Sequence, residues 1–140
     1  MTGAIIRRQA RFVYTPLGPS ALTAIGQSAA DTIRTRISAG VNANDGAAKP
    51  LTPAYAKLKT KRGAKPIRDW KLTGGTLATL GVLGTAPNSV RVGFSDDRAA
   101  LVAFFENKVE KMFGVSPRDH VAITAAANKI AHDEGIIQVR

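Results

Sequence analysis

The sequence predicts an α+β fold, with a long N-terminal amphipathic helix and shorter helices packed on a small antiparallel sheet. Three patterns carry that prediction. Leu22, Ile25, Ala29, Ile33 and Ile37 recur every three or four positions, which is one face of a helix. Val82, Leu83 and Thr85 lead into the turn cluster Ala86-Pro87-Asn88-Ser89, after which Val90, Val92 and Phe94 alternate with Arg91 and Gly93. That is a hairpin, its second strand half-buried. Asp96 and Ser116-Pro117 then mark two further helix starts, so helices and a sheet share one core.

In chain order, residues 1–19 read as an arm: Arg7, Arg8 and Arg11 interrupt short apolar pieces, and Pro16, Gly18 and Pro19 stop any helix. Phe12, Val13 and Tyr14 suggest a short strand within it. A single domain over residues 20–140 follows. Ser20 is the expected N-cap of the first helix and Gly40 its stop. The sequence predicts an extended basic loop region over 41–71, with Asp45-Gly46 a turn and Thr52-Pro53 the cap of a short helix through Tyr55 and Leu58. Residues 59–66 read as mobile loop, and Thr73 as the cap of a short helix carrying Leu77 and Leu80. Leu77 and Phe94 read as core. The helix from Asp96 carries Ala99, Leu101, Val102, Phe104 and Phe105; Met112, Phe113 and Val115 read as a short apolar piece, a possible strand. Ser116-Pro117-Arg118-Asp119 resembles a capping box, and Ile123, Ala127 and Ile130 continue that helix on one face. Gly135 to Val139 read as a last edge strand.

Charge narrows the partners. The chain carries +10, and residues 1–70 hold twelve basic side chains against three acids, while residues 71–140 are nearly balanced. Between Lys49 and Lys71 stand eight basic residues and one acid, Asp69. Such a field must face water or an acidic partner. Clustered Lys57, Lys59, Lys61, Arg62, Lys65 and Arg68 fit phosphate contact through counterion release, with Tyr55 and Trp70 as stacking partners. No helix-turn-helix or finger signature accompanies them, so a protein contact or a solvated loop is the favoured reading. The absence of cysteine excludes a disulfide scaffold, a thiolate zinc site and a cysteine nucleophile. With no apolar run near the roughly 20 residues of a membrane span and no signal peptide, the expectation is a soluble protein assembled in the cytoplasm.

No catalytic pattern emerges. His120 and His132 stand twelve residues apart, too far to be paired ligands at i and i+4, and the glycines at 74, 75, 81 and 84 fit no nucleotide-binding loop. Asp96-Asp97 reads as a cap rather than an acid–base pair. The expectation is therefore no enzyme, no metal and no cofactor.

Several short segments, in order, resemble the virion morphogenesis family of tailed phages, the tail-completion or neck proteins. They are Asp45-Gly46, Lys49-Pro50-Leu51, Tyr55 and Lys57, Pro66-Ile67-Arg68-Asp69, and Leu72-Thr73-Gly74 with Leu77. Then come Val90-Arg91-Val92-Gly93-Phe94 and Met112-Phe113-Gly114-Val115-Ser116 with Asp119. The likeness spans about residues 20–131; where the family carries Tyr-Ala-x-x-His-x-x-Gly, this chain has Ala103-Phe104-Phe105-Glu106-Asn107. The resemblance implies a structural virion protein joining the tail to the head-proximal connector as a ring of copies, sixfold or a multiple. Neighbouring connector, tail-terminator or tail-tube proteins would be its partners, with DNA in the channel a further contact and no membrane. In that picture the arm and the 41–71 loop order on assembly. Interface candidates are Arg7, Arg8, Arg11, Tyr14, Lys57, Lys59, Lys61, Arg62, Lys65, Arg68, Phe104, Phe105 and Phe113. The alternative is a DNA-binding accessory protein acting through residues 49–71.

Overall fold

The computed structural model describes residues 12–14, 17–70, 75–133 and 137–139. Arg7, Arg8, Arg11, Lys71 and the expected cap Thr73 lie outside them. The class is α+β. Among the described residues the order is β1 (Phe12–Tyr14), α1 (Pro19–Ser38), α2 (Pro53–Lys61), α3 (Gly75–Ala78), β2 (Leu80–Ala86), β3 (Ser89–Phe94), α4 (Asp97–Val109), α5 (Pro117–Asp133) and β4 (Ile137–Val139). In place of one sheet there are two antiparallel ladders, β2 with β3 and β1 with β4. In the second, Tyr14 stands opposite Ile137, which ties the start of the chain to its end. No helix among the described residues is long and apolar enough to cross a membrane.

Helix α1 organises the rest. It begins at Pro19, with Gly18 and not Ser20 as N-cap, because proline fits the first helical position where no donor is needed. It ends in a Schellman motif: Gly40 N–H donates to the Ile37 carbonyl (2.9 Å) and Val41 N–H to that of Arg36 (3.3 Å). Gly40 has φ +70°, which a glycine adopts without strain. Leu22, Ile33 and Ile37 are buried as their spacing predicts, joined by Ala21, Gly26, Ala30 and Arg36. Gly26 allows the closest approach, since a Cβ there would lie 2.6 Å from Val90 Cγ2 and 2.8 Å from Val82 Cγ2. The β2–β3 hairpin thus presses directly on α1.

The hairpin pairs Leu80 with Phe94, Val82 with Val92 and Ala86 with Ser89, with a register shift between Val82 and Gly84. Asn88 takes φ +57°, the position after proline that a type II turn reserves for Gly or Asn. The core gathers Ala30, Ile33, Ile37, Leu77, Leu80 and Met112, with Trp70, Phe94 and Phe113 against it. Phe94 and Phe113 meet in a tilted pair, ring centroids 5.2 Å apart. Three sequence expectations are corrected. Met112 and Phe113 form no strand, because Asn107 Oδ1 accepts both their amides (3.0 and 2.9 Å) in a turn after α4. Residues 59–61 belong to α2 rather than to a loop, and Leu80 opens β2 rather than extending a helix.

Candidate assembly surface

Two buried ion pairs hold the frame. Arg36 sits between Ile33 and Ile37 on the buried stripe of α1. Its Nε donates to Asp119 Oδ2 at 2.7 Å, Nη1 to the Val41 carbonyl (3.0 Å) and Nη2 to the Gly114 carbonyl (2.8 Å). Asp119 also closes the capping box of α5: its carboxylate accepts Ser116 N–H (3.1 Å), while Ser116 Oγ accepts Asp119 N–H (3.1 Å). Gly114 stands at φ +141°, a conformation open to glycine, so that its carbonyl reaches Arg36. These bonds join α1 to the cap of α5 and to the turn that begins at Val41.

The second pair corrects the sequence reading of the basic segment. Lys59, expected to face a partner, is buried; its Nζ lies 2.5 Å from Asp69 Oδ1 and 2.6 Å from the Ile67 carbonyl. Arg68, also expected at an interface, is half-buried, its Nη1 3.2 Å from Glu106 and its Nε donating to the Lys49 carbonyl at 3.2 Å. Segment 41–70 is therefore docked onto the body by its own contacts rather than awaiting a neighbour to order it. Trp70 packs against Phe94 at 6.3 Å, and Phe113 belongs to the core, so neither is free to stack on a partner. The cations left in solvent are Lys49, Lys57, Lys61, Arg62 and Lys65. Lys57 and Lys61 lie one turn apart on α2.

Carboxylates complete the docking. Glu110, just past α4, accepts Lys49 N–H (2.5 Å) and Asn42 Nδ2 (3.0 Å). Burial alone would raise its pKa, but those hydrogen bonds and the charges of Lys49 and Arg68 outweigh it and hold the carboxyl below its ordinary value. Asp45 accepts Arg118 N–H at 2.8 Å, adding to the cap of α5. Its pKa is also lowered: burial pushes upward, while hydrogen bonds from Ser116 and Arg118 and the charges of Arg118 and Arg36 push down harder. Between α2 and α4 runs an open groove of about 820 Å³, walled by Leu51, Tyr55, Trp70, Val102 and Val109. Burial, then Glu106 and Asp69, raise the Tyr55 pKa, which keeps its phenol protonated.

Helix α4 is built inside out. Asp96 caps it, its carboxylate accepting Ala99 N–H at 2.9 Å. The buried residues are the small ones, Ala99 and Ala103. Leu101, Val102, Phe104, Phe105 and Val109 are exposed. Phe104 and Phe105 meet edge to face at 5.7 Å, and Lys108 Nζ lies 4.7 Å over the Phe104 ring and 5.6 Å over that of Phe105. Phe104 and Phe105, which the sequence offers as interface candidates, are exposed rather than core. Tyr14, also an interface candidate of the sequence, lies in β1.

Neither known families, curated proteins nor solved structures provide a match to this chain. Its reading therefore rests on the residues themselves. The buried Arg36–Asp119 and Lys59–Asp69 pairs were not foreseen; the available signals were an arginine on the apolar stripe of α1 and a lone acid in a run of bases.

Proposed function

We propose that this chain is a structural subunit of a tailed-phage virion, a tail-completion or neck protein that joins the tail to the head-proximal connector as a ring of copies. The observation that carries this reading is α4, which turns its alanines inward and its phenylalanines out. Contiguous apolar surface of that kind marks a protein contact, and aromatic side chains are the common anchors of such contacts. The resemblance supplies the setting. Several of its segments have a scaffold role here: Gly114, Ser116 and Asp119 close on Arg36, and Asp69 closes on Lys59. They hold together a body on which α4 and the outer side of α2 present exposed faces. A ring would join such bodies by heterologous contacts that close by rotation.

Mass spectrometry of purified particles is the test. The chain is expected there in a fixed copy number, and native mass measurement of its mixture with a connector protein should give a closed ring. Particles free of the chain overturn the reading. A second reading, DNA contact, draws on the exposed cations Lys57, Lys61, Arg62 and Lys65. Titration against duplex DNA at several salt concentrations tests it: a steep fall of affinity with salt supports it, and no binding at low salt removes it.

A further inference from the structure

We infer that the free chain pairs with a second copy of itself through α4, the two helices packed antiparallel about a two-fold axis between Leu101 and Phe104. It goes beyond the ring reading: a two-fold pair is an isologous contact of the free chain, separate from the heterologous contacts that would close a ring.

Area is the first argument. Phe104 is 58% exposed, and Phe105 and Leu101 55% each. With side chains of roughly 150–200 Å², that stripe offers on the order of 300 Å² of apolar surface, apart from Val102 and Val109, which face the groove. A standard interface covers about 800 Å² per partner, a little over half of it apolar. One α4 stripe therefore supplies roughly two thirds of the apolar share of one side, the centre of a contact rather than its whole.

Charge selects the occupant. The chain as a whole carries +10 and repels its copies, yet α4 holds Asp97 and Arg98 near one end and Glu106 and Lys108 near the other, a net of zero. Leu101, Phe104, Phe105 and Lys108 follow the i, i+3, i+4, i+7 spacing of one helical stripe, and Asp97, one turn before Leu101, continues it. In the antiparallel register that sets Leu101 over Phe104 of the other copy, Asp97 falls opposite Lys108, at both ends of the contact. The helix dipoles oppose as well, which favours the same direction. A parallel pair would set Asp97 against Asp97 and Lys108 against Lys108.

The absence of cysteine makes a direct test available in the full chain. Asp97→Cys and Lys108→Cys are made separately and oxidised alone or mixed. Asp97 and Lys108 are eleven residues apart, about 16 Å along a helix, beyond the ~7 Å Cα separation that a disulfide spans. The antiparallel pair therefore predicts a covalent dimer, twice the 14.8 kDa chain mass, from the mixture and little from either variant alone. Self-linking of each variant with no gain on mixing overturns the geometry. No linking, together with a monomer in sedimentation at tens of micromolar, overturns the pairing. As a second variant, Phe104→Asp is expected to weaken the dimer about 30-fold or more while leaving the circular dichroism spectrum unchanged. A chain that fails to link yet is present in particles loses this contact alone. One that links but is absent from particles keeps it and loses the virion reading.

Discussion

The basic segment from Lys49 to Trp70 and helix α4 invert the expectations their compositions raise. In the first, charged side chains go inside: Lys59 is buried on Asp69, and Arg68 is half-buried against Glu106 and Glu110. In the second, large apolar side chains go outside while Ala99 and Ala103 face the core. Residue type alone decides neither case. A lysine is buried where a carboxylate and a carbonyl wait for it, and a phenylalanine is left in water where the inward stripe of its helix is already filled by smaller residues.

The largest expected break in this comparison is Asp69→Ala. It leaves the Lys59 ammonium buried without its carboxylate, and loss of one partner of a buried pair costs about 3–5 kcal/mol. Urea unfolding measures it; a loss below about 1 kcal/mol would mean that Lys59 reaches solvent. Next comes the contrast within α4. Enlarging the inward Ala103 to Leu overpacks a filled site and is expected to cost about 1–3 kcal/mol, whereas Phe104→Ser should leave monomer stability within about 0.5 kcal/mol. Equal effects at the two positions would contradict the orientation of the helix.

Acid sharpens the comparison where the regions meet, since Glu110 at the end of α4 holds Lys49 of the basic segment. Its folded pKa, like that of Asp45, lies below the ordinary value, so the unfolded chain binds protons more readily. Both carboxylates therefore stabilise the fold above the ordinary carboxylate range near pH 4, and that contribution is lost as pH falls below it through the folded values. In an unfolding series from pH 7 to 2, Glu110→Gln should flatten the acid limb. A limb unchanged by that substitution contradicts the assignment. The smallest effect belongs to Lys57→Gln and Lys61→Gln, each expected within about 0.5 kcal/mol in the same assay, because both side chains are exposed. Lys59→Gln, two residues from either, should behave like Asp69→Ala instead.

Much of the fold was legible because local rules and tertiary packing agree. The stripe of α1, the Thr52-Pro53 start of α2, the Asp96 cap and the Ser116–Asp119 box all stand where their patterns put them. The hairpin at Pro87-Asn88 does too. What escaped the sequence depended on contacts distant along the chain. Arg36 and Asp119 are 83 residues apart, and nothing local announces that they meet. Lys59 looked like its neighbours Lys57 and Lys61, but the α2 turn points it inward to Asp69. In α4 both sides are apolar, so helical periodicity allows either to be buried; the close fit of Ala99 and Ala103 to the body decides it. Asn107 captured the amides that would have made Met112 and Phe113 a strand.

The outward face of α4 is the centre of this account, and sedimentation of the purified full chain addresses it most directly. At tens of micromolar the parent chain is expected at twice its 14.8 kDa mass, and Phe104→Asp at the single-chain mass with an unchanged circular dichroism spectrum. A parent chain that sediments as a monomer at that concentration would contradict it.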